Sequence, residues 1–325
     1  MENFISMEYG AGGSQSWQLI EKLRRILKLK GRWKNIDDDG AVFDLGQQKL
    51  VLTTDAFIVE PLFFPGGDIG KMAICGTIND LAVMGAKPIG LSLSLVIEEG
   101  FPLADLEKII HSIDRVSQEI KIPVVTGDTK VIDKGKLDKI EITTAGVGLA
   151  DQIIDNSGLK PGQVIIASGG LGEHGLAILA KRFNYQTKIK SDCQPIIREI
   201  QGVARYLTSI KDPTRGGLAA NINEMADKSR VKIILEETRM PFKREVLALS
   251  SLLGIDPLIL PSEGRFIAGV EKKNIQKVIK ILRRFNKEAG LIGEVVKGRG
   301  VLLKTKVGSL KPIPMPLGKL IPRIC

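Results

Sequence analysis

The sequence predicts a mixed α/β protein of two domains followed by a mobile C-terminal tail, and three observations carry that prediction. At 325 residues the chain is longer than one hydrophobic core ordinarily organises. Strand-like alternation and helical periodicity are interleaved from one end to the other rather than segregated. The stretch DNSGLKPG, from Asp155 to Gly162, is dense in turn formers, and QVIIASG restarts a buried-strand pattern directly after it. The expected division is therefore residues 1–155, residues 156–306 and a proline-rich tail, residues 307–325.

In chain order, SQSWQLIEKLRRILKL puts Leu19, Leu23, Ile26 and Leu27 on one face, a packed amphipathic helix that Ser14 or Ser16 can cap. KLVLTT (Lys49 to Thr54) reads as a strand, FFPGGDIGK as a turn, and KMAICGTINDLAVMGA as a mostly buried helix. LSLSLVI from Leu91 alternates as a strand does. LADLEKIIHSIDRVSQEI repeats apolar residues at Leu106, Ile109, Ile110, Ile113 and Val116, as a helix does, and IPVVTGDTK and KIEITTAGVGLA are β-rich. Beyond Gly162, helices are expected at residues 176–183, 195–207, 218–228 and 275–285, with strands near Val231, Phe266 and Leu291. Pro312, Pro314, Pro316 and Pro322 remove backbone donors, so the tail can be neither helix interior nor central strand. An extended tail of roughly 19 residues would reach about 60 Å.

Composition excludes several classes. No run approaches the roughly 20 apolar residues of a membrane span, and MENFISMEYG lacks the features of a secretory signal, so a cytoplasmic location is expected and no membrane partner. Cys75, Cys193 and Cys325 are too few and too scattered for a disulfide framework or a zinc site. The net charge of +10 would suit nucleic acid, but aromatics make up only 5% and no recognition motif accompanies the charge, so no nucleic-acid partner is expected. Seven basic residues and no acid follow from Lys297 to the end, which gives the tail a surface for an acidic or phosphorylated partner.

The chemistry-bearing residues are acids at the ends of elements: Asp37, Asp38 and Asp39 in IDDDGAV, Asp55 in LVLTTD, Asn79 and Asp80 in TINDLAVMGA, and Asp128 in VVTGDTK. Together they can converge on a hard cation such as Mg²⁺ and on nucleotide phosphates; singly, each can simply cap a turn. Glycine clusters in GAGG, PGGDIGK and DPTRGG each precede a helix whose free amides suit phosphate, with Lys71 and Arg215 adding charge, though neither a P-loop nor a Rossmann fingerprint is present. Lys130 and Glu263 are candidates for proton transfer or phosphate contact, or are ordinary solvated charges. His111 is solvated and His174 a structural turn histidine; Cys75 is a core residue and Cys193 a loop thiol. Cys325 is a thiol on a mobile arm, either a chance terminal cysteine or a carrier that collects a group in one place and presents it in another.

Read together and in order, TTDAFIVEPLFFPGGDIGKMAICGTINDLAVMGAKP, IEEGFP, VVTGDTKV, SDCQP, DPTRGGLAA, the Ser-Glu-Gly after Leu260 and the terminal PRIC resemble the HypE family of hydrogenase maturation proteins, within the aminoimidazole ribonucleotide synthase superfamily. The resemblance spans nearly the whole chain. It departs at Tyr9, where relatives commonly begin the glycine loop with histidine.

The resemblance implies an aminoimidazole ribonucleotide synthase-like fold, a homodimer joined through its N-terminal sheets, and ATP with Mg²⁺ in a cleft floored by acidic motifs. It further implies that Cys325 receives a carbamoyl group from the carbamoyltransferase HypF. ATP-dependent dehydration then gives a thiocyanate, whose cyanide passes to iron on the HypC–HypD complex. By motif position, Asp38, Asp39, Asp55, Lys71, Asn79, Asp80, Gly127 and Asp128 would hold ATP, with Asp38, Asp55, Asp80 and Asp128 on the metal. Lys130 would contact the carboxamide or phosphate, Glu263 would be the base, and Asp212 and Arg215 would shape the channel for the arm. The alternative is a superfamily synthase that activates an amide on a free small molecule, which would not need Cys325.

Overall fold

A computed structural model describes residues 4–10, 12–27, 31–317 and 324. Helix α1 (Ser14–Ile26) leads to β1 (Ala41–Asp44) and β2 (Lys49–Phe57). A hairpin of β3 (Phe63–Phe64) and β4 (Gly67–Asp68) feeds α2 (Ile69–Val83), after which β5 (Lys87–Glu98), α3 (Leu103–Ile120), β6 (Val124–Ile132) and β7 (Ile140–Ala150) complete the first half. The sheet runs β1-β2-β7-β5-β6. Its one parallel pair, β5 with β6, is joined by the α3 crossover that a parallel pair requires.

Helix α2 organises this half. Its sequence is apolar all round, and every residue except Lys71 and Asp80 is buried, as expected of a helix enclosed on all sides. Ile69, Met72, Ile74 and Ile78 pack with Ile109, Ile113 and Val116 of α3 and with Leu91, Leu95 and Ile142 of the sheet. Gly70 permits the helix crossing: a Cβ there would lie 2.6 Å from the Ile109 carbonyl oxygen. The far end of α2 packs Ala82 and Val83 against Ile196 and Ile200 of the second half.

The second half comprises β8 (Gln163–Ala167), α4 (Glu173–Arg182), α5 (Ile197–Val203), β9 (Leu207–Lys211), α6 (Gly217–Lys228), β10 (Lys232–Glu236), α7 (Arg244–Leu253), β11 (Ile267–Glu271), α8 (Ile275–Leu282), β12 (Gly290–Val296), β13 (Gly300–Lys304) and β14 (Leu310–Pro312). The strands form one sheet in the order β14-β13-β10-β12-β8-β11-β9. QVIIA is buried throughout because both faces are covered: Ile165 and Ala167 pack with Leu218, Ile222 and Met225 of α6, while Val164 and Ile166 pack with Ile200 of α5 and Val278 of α8. Among the described residues no helix is long and apolar enough to cross a membrane.

Several expectations need correction. The helix expected at residues 195–207 stops at Val203, and its last positions become a 3₁₀ turn and the start of β9, where Leu207, Ser209 and Ile210 align with β11 and Thr208 falls at a register shift. Helix α7 was not anticipated. The apolar residues of α1 do not pack: Trp17, Ile20, Leu23 and Ile26 are exposed, and neither serine caps the helix. The tail is not free from residue 307. Leu310–Pro312 pair with Leu302–Lys304, Ile313 is buried and donates to the Val301 carbonyl, and the Pro316 carbonyl accepts from Ser14 N–H at 3.2 Å. The prolines suit this edge position because no partner needs their missing N–H.

The two halves are held together by Asn79 on α2. Its Nδ2 donates to the carbonyls of Gln194 (3.0 Å) and Glu263 (2.9 Å), and its Oδ1 accepts from Ile196 N–H (3.0 Å). Asn79→Leu is similar in size but leaves three backbone groups without partners, so it is expected to lower stability by about 3 kcal/mol in urea unfolding. A loss below about 0.5 kcal/mol would show that the clamp contributes nothing.

Candidate functional site

Three carboxylates converge where the halves meet. Asp39, in the turn before β1, Asp80, the acidic residue of α2, and Asp212, directly after β9, present oxygens all within 4.8 Å of one another. Asp80 accepts from Thr53 Oγ1 at 2.9 Å. Asp55 accepts from Thr77 Oγ1 at 3.2 Å, and Thr77 is bonded in turn to Thr144 at 2.5 Å. Hydroxyls of the first sheet and of α2 thus orient the acids from one side.

The electrostatics are those of carboxylates crowded together away from water. Burial and the charges of Asp55, Asp212 and Asp39 push Asp80 well above the usual carboxylate range. Burial, together with Asp39, moves Asp212 to about 7, and burial with Asp39 moves Asp38 to about 7. Lys211 is the resident counter-charge. It is ion-paired with Asp39 and lies 3.9 Å from Glu224. Burial opposes its charge, but Asp39, Glu224 and Asp212 outweigh that and hold its ammonium well above its ordinary pKa. Lys228 bridges Glu224 at 3.1 Å and Asp37 at 3.8 Å, which ties the acidic turn to α6. Oδ2 of Asp39 is buried without a partner, and all the donors are hard carboxylate oxygens, so the residues fit Mg²⁺.

A second cluster lies around Glu263. Its N–H donates to Asp192 Oδ1 at 2.9 Å, while its own Oε1 is buried and unpartnered. Burial first, then Cys193, Asp212, Asp192 and Asp55, raise its pKa well above normal. Beside it a cavity of about 510 Å³ is lined by Lys71, Ser191, Asp192, Cys193, Gln194 and Arg265. Ile324 is buried with Cys193 and Ile178 in the first-half core, and its carbonyl bonds His174 Nε2 at 2.7 Å. Cys325 itself lies outside the described residues.

The remaining expected site residues are distributed differently from the sequence reading. Asp38 is not grouped with the three converging acids: its Oδ1 accepts from Asp39 N–H and its Oδ2 from Asn156 N–H, so it braces the turn. Asn79 commits its amide to three backbone groups, as described above, and so acts as a clamp. Lys71 faces the Ser191–Cys193 loop and bonds the Gly66 carbonyl at 2.9 Å. Asp128 and Lys130 pair with each other at 3.0 Å in the open, on edge strand β6. Register explains why they miss the acidic cluster. Asp55 shares a row with Thr144, Leu93 and Gly127, whereas Asp128 shares the next row with Ser94, Thr143 and Ala56, on the opposite face. The separation is also three strands, roughly 14 Å. At Gly127 a Cβ would lie 2.2 Å from the Leu93 carbonyl oxygen, which by itself requires glycine there.

The glycine loops serve the fold as well. Asp68 caps α2, accepting from Lys71 N–H at 3.0 Å, which puts a carboxylate where a phosphate would sit. Gly13 lets the Pro316 carbonyl approach, where it accepts from Ser14 N–H. Lys211, Ser191 and the role of His174 escaped the sequence reading; the signal available for Lys211 was a lysine flanked by the apolar run SI and the turn DPTRGG.

Residues 37–150 match the model of the AIR synthase related protein, N-terminal domain, and residues 160–305 that of its C-terminal domain. Carbamoyl dehydratase HypE of Cupriavidus necator is 41% identical, over 99% of this chain and 95% of the relative. Among solved structures, a HypE–HypF complex aligns with TM-score 0.86 at 36% identity, covering 92% of this chain and 99% of that one. HypE in complex with ATP aligns with TM-score 0.83 at 33% identity, covering 99% and 100%. With both halves matched and full-length relatives at this similarity, the chain belongs to the HypE family of AIR synthase related proteins.

Proposed function

We propose that this protein is an ATP-dependent carbamoyl dehydratase of [NiFe]-hydrogenase maturation that acts on its own C-terminal Cys325. The observation that carries the reading is the burial of Ile324, one peptide bond before Cys325, in the core cluster that includes Cys193, beside the Glu263 carboxyl. An enzyme for a free small molecule has no use for a docked terminal arm.

HypF supplies the carbamoyl group as an S-carboxamide, R–S–C(=O)–NH₂. The amide oxygen attacks the γ-phosphorus of ATP, ADP leaves, and one N–H proton is lost to give R–S–C(OPO₃)=NH. Loss of the second N–H proton as phosphate departs leaves R–S–C≡N, whose cyanide is handed to iron on HypC–HypD. Magnesium, held by Asp39, Asp80 and Asp212 with Asp55 alongside, would supply positive charge to the phosphate oxygens. Lys211 keeps the acids paired and Thr53 and Thr77 hold their orientation. Glu263, whose Oε1 is buried without a partner, would in its ionised form accept the carboxamide N–H proton.

Strand β6 supports a homodimer. Residues 125–131 are exposed on both faces, including Val125 and Val131, and β6 is an unpaired sheet edge. A second copy joined there would bring Asp128 and Lys130 to the partner's cleft, where Lys130 contacts the carboxamide or phosphate.

After carbamoylation by HypF, MgATP is expected to make the C-terminal peptide lighter by one water, read by mass spectrometry; a persisting carboxamide overturns the reading, and Cys325→Ala yields no cyanated product. Asp80→Asn is expected to slow dehydration at least about hundredfold, as for loss of one charge-stabilising group. The raised pKa values of Asp38 and Asp212 fix a pH trend. Their contribution to stability is complete below the ordinary carboxylate pKa and is lost as pH rises through about 7. Melting temperature without Mg²⁺ should therefore fall between pH 6 and 8, and Mg²⁺ should raise it more at pH 8 than at pH 6. Val125→Asp is expected to give monomers in analytical ultracentrifugation and to abolish turnover.

A further inference from the structure

His174 is completely buried at the start of α4, with its ring edge-on to Phe64 at 5.4 Å and 85°. Its Nε2 lies 2.7 Å from the Ile324 carbonyl oxygen and its Nδ1 lies 2.8 Å from Ser191 Oγ. A carbonyl oxygen can only accept, so Nε2 carries the hydrogen and Nδ1 is bare. Ser191 must then donate its hydroxyl hydrogen to Nδ1, which leaves its oxygen free to accept Cys193 N–H at 3.0 Å. One direction of donation satisfies the whole row, from the Cys193 amide through Ser191 and His174 to Ile324. Burial lowers the imidazole pKa to about 4, so the ring is neutral as this arrangement requires.

The same platform fixes Glu263. Gly172 N–H donates to Ser262 Oγ at 2.8 Å and Gly175 N–H to the Pro261 carbonyl at 3.0 Å, which laces residues 261–263 to the first turn of α4. Glu263 N–H in turn donates to Asp192 Oδ1, one residue from Ser191. His174, which grips the arm, and Glu263 are therefore held by one set of bonds.

We infer that His174, oriented by Ser191, is a positioning residue that latches the Ile324 carbonyl and so sets where the terminal residue is presented to Glu263. The inference rests on the dehydratase reading for its purpose, but the latch is tested without catalysis. Cys75 and Cys193 are buried, so in the folded protein iodoacetamide should modify Cys325, and the rate reports release of the arm. His174→Phe keeps a ring against Phe64 but loses the donor. It is expected to raise the rate of Cys325 alkylation about tenfold, the size of one buried hydrogen bond. His174→Gln restores an N–H donor and should return the rate to within about threefold of the parent. Ser191→Ala, which frees the ring to adopt the other tautomer, provides a second variant should His174→Phe not fold, with a rise of about threefold. ATP binding should be unchanged in all three.

The chain has two histidines, so ¹⁵N spectra of labelled protein resolve them directly. His174 should show a bare Nδ1 and a protonated Nε2, and removal of residues 324–325 should perturb that signal alone. Equal alkylation rates in the parent and in the folded variants, or the opposite tautomer, overturn the latch while leaving the dehydratase assignment intact. Faster alkylation together with a failure of MgATP to dehydrate the carboxamide would instead sink the assignment and leave the latch.

Discussion

A helix with no solvent face can carry charge only where the fold supplies partners for it, and α2 is such a helix. Its apolar surface is gripped by a sheet, by α3 and by the second half of the chain, so Asp80 cannot be relieved by water alone. Two consequences follow. The hydroxyls of Thr53 and Thr77 are drawn to Asp80 and Asp55, and Asp39 and Asp212 arrive from opposite halves to make a pocket of mutually repelling charges. Lys211, contributed by the second half, keeps the resting state tolerable. The site and the union of the two halves are therefore one electrostatic problem with one solution.

Much of this was legible in the sequence, for identifiable reasons. Helix α3 announced itself through its repeat, α2 and the strand QVIIA through continuous apolar runs, and DNSGLKPG lies between the last strand of the first sheet and the first of the second. Acidic residues after apolar runs pointed to converging carboxylates, of which Asp39 and Asp80 do meet. What the sequence could not convey was which face of a strand each residue occupies once register is set. Asp55 and Asp128 look equivalent in sequence, each at the end of an apolar run, yet pairing with Thr144 in one case and Ser94 in the other sends them to opposite sides. Similarly, GAGG and PGGDIGK look like phosphate loops. In the fold their freedom serves close approach of backbone to backbone, at Pro316 and Ser191.

His174 shows the limit most clearly. In GGLGEHG it is a lone histidine in a turn. Its significance appears only when Ser191 and Ile324, 17 and 150 residues away, close on its two nitrogens. Tautomer choice is a property of three distant segments, and no local pattern encodes it.

The clasp of Pro316 by Ser14 also changes what kind of carrier this arm can be. Nine residues follow that fastening point, a span of at most roughly 28 Å when fully drawn out, less than half of what an untethered tail would offer. A leash that short cannot fish in solution. Any enzyme that loads or empties the terminal sulfur has to come alongside, with its own catalytic mouth open toward this protein's surface, so the handover is a matter of two bodies docking rather than of one arm roaming.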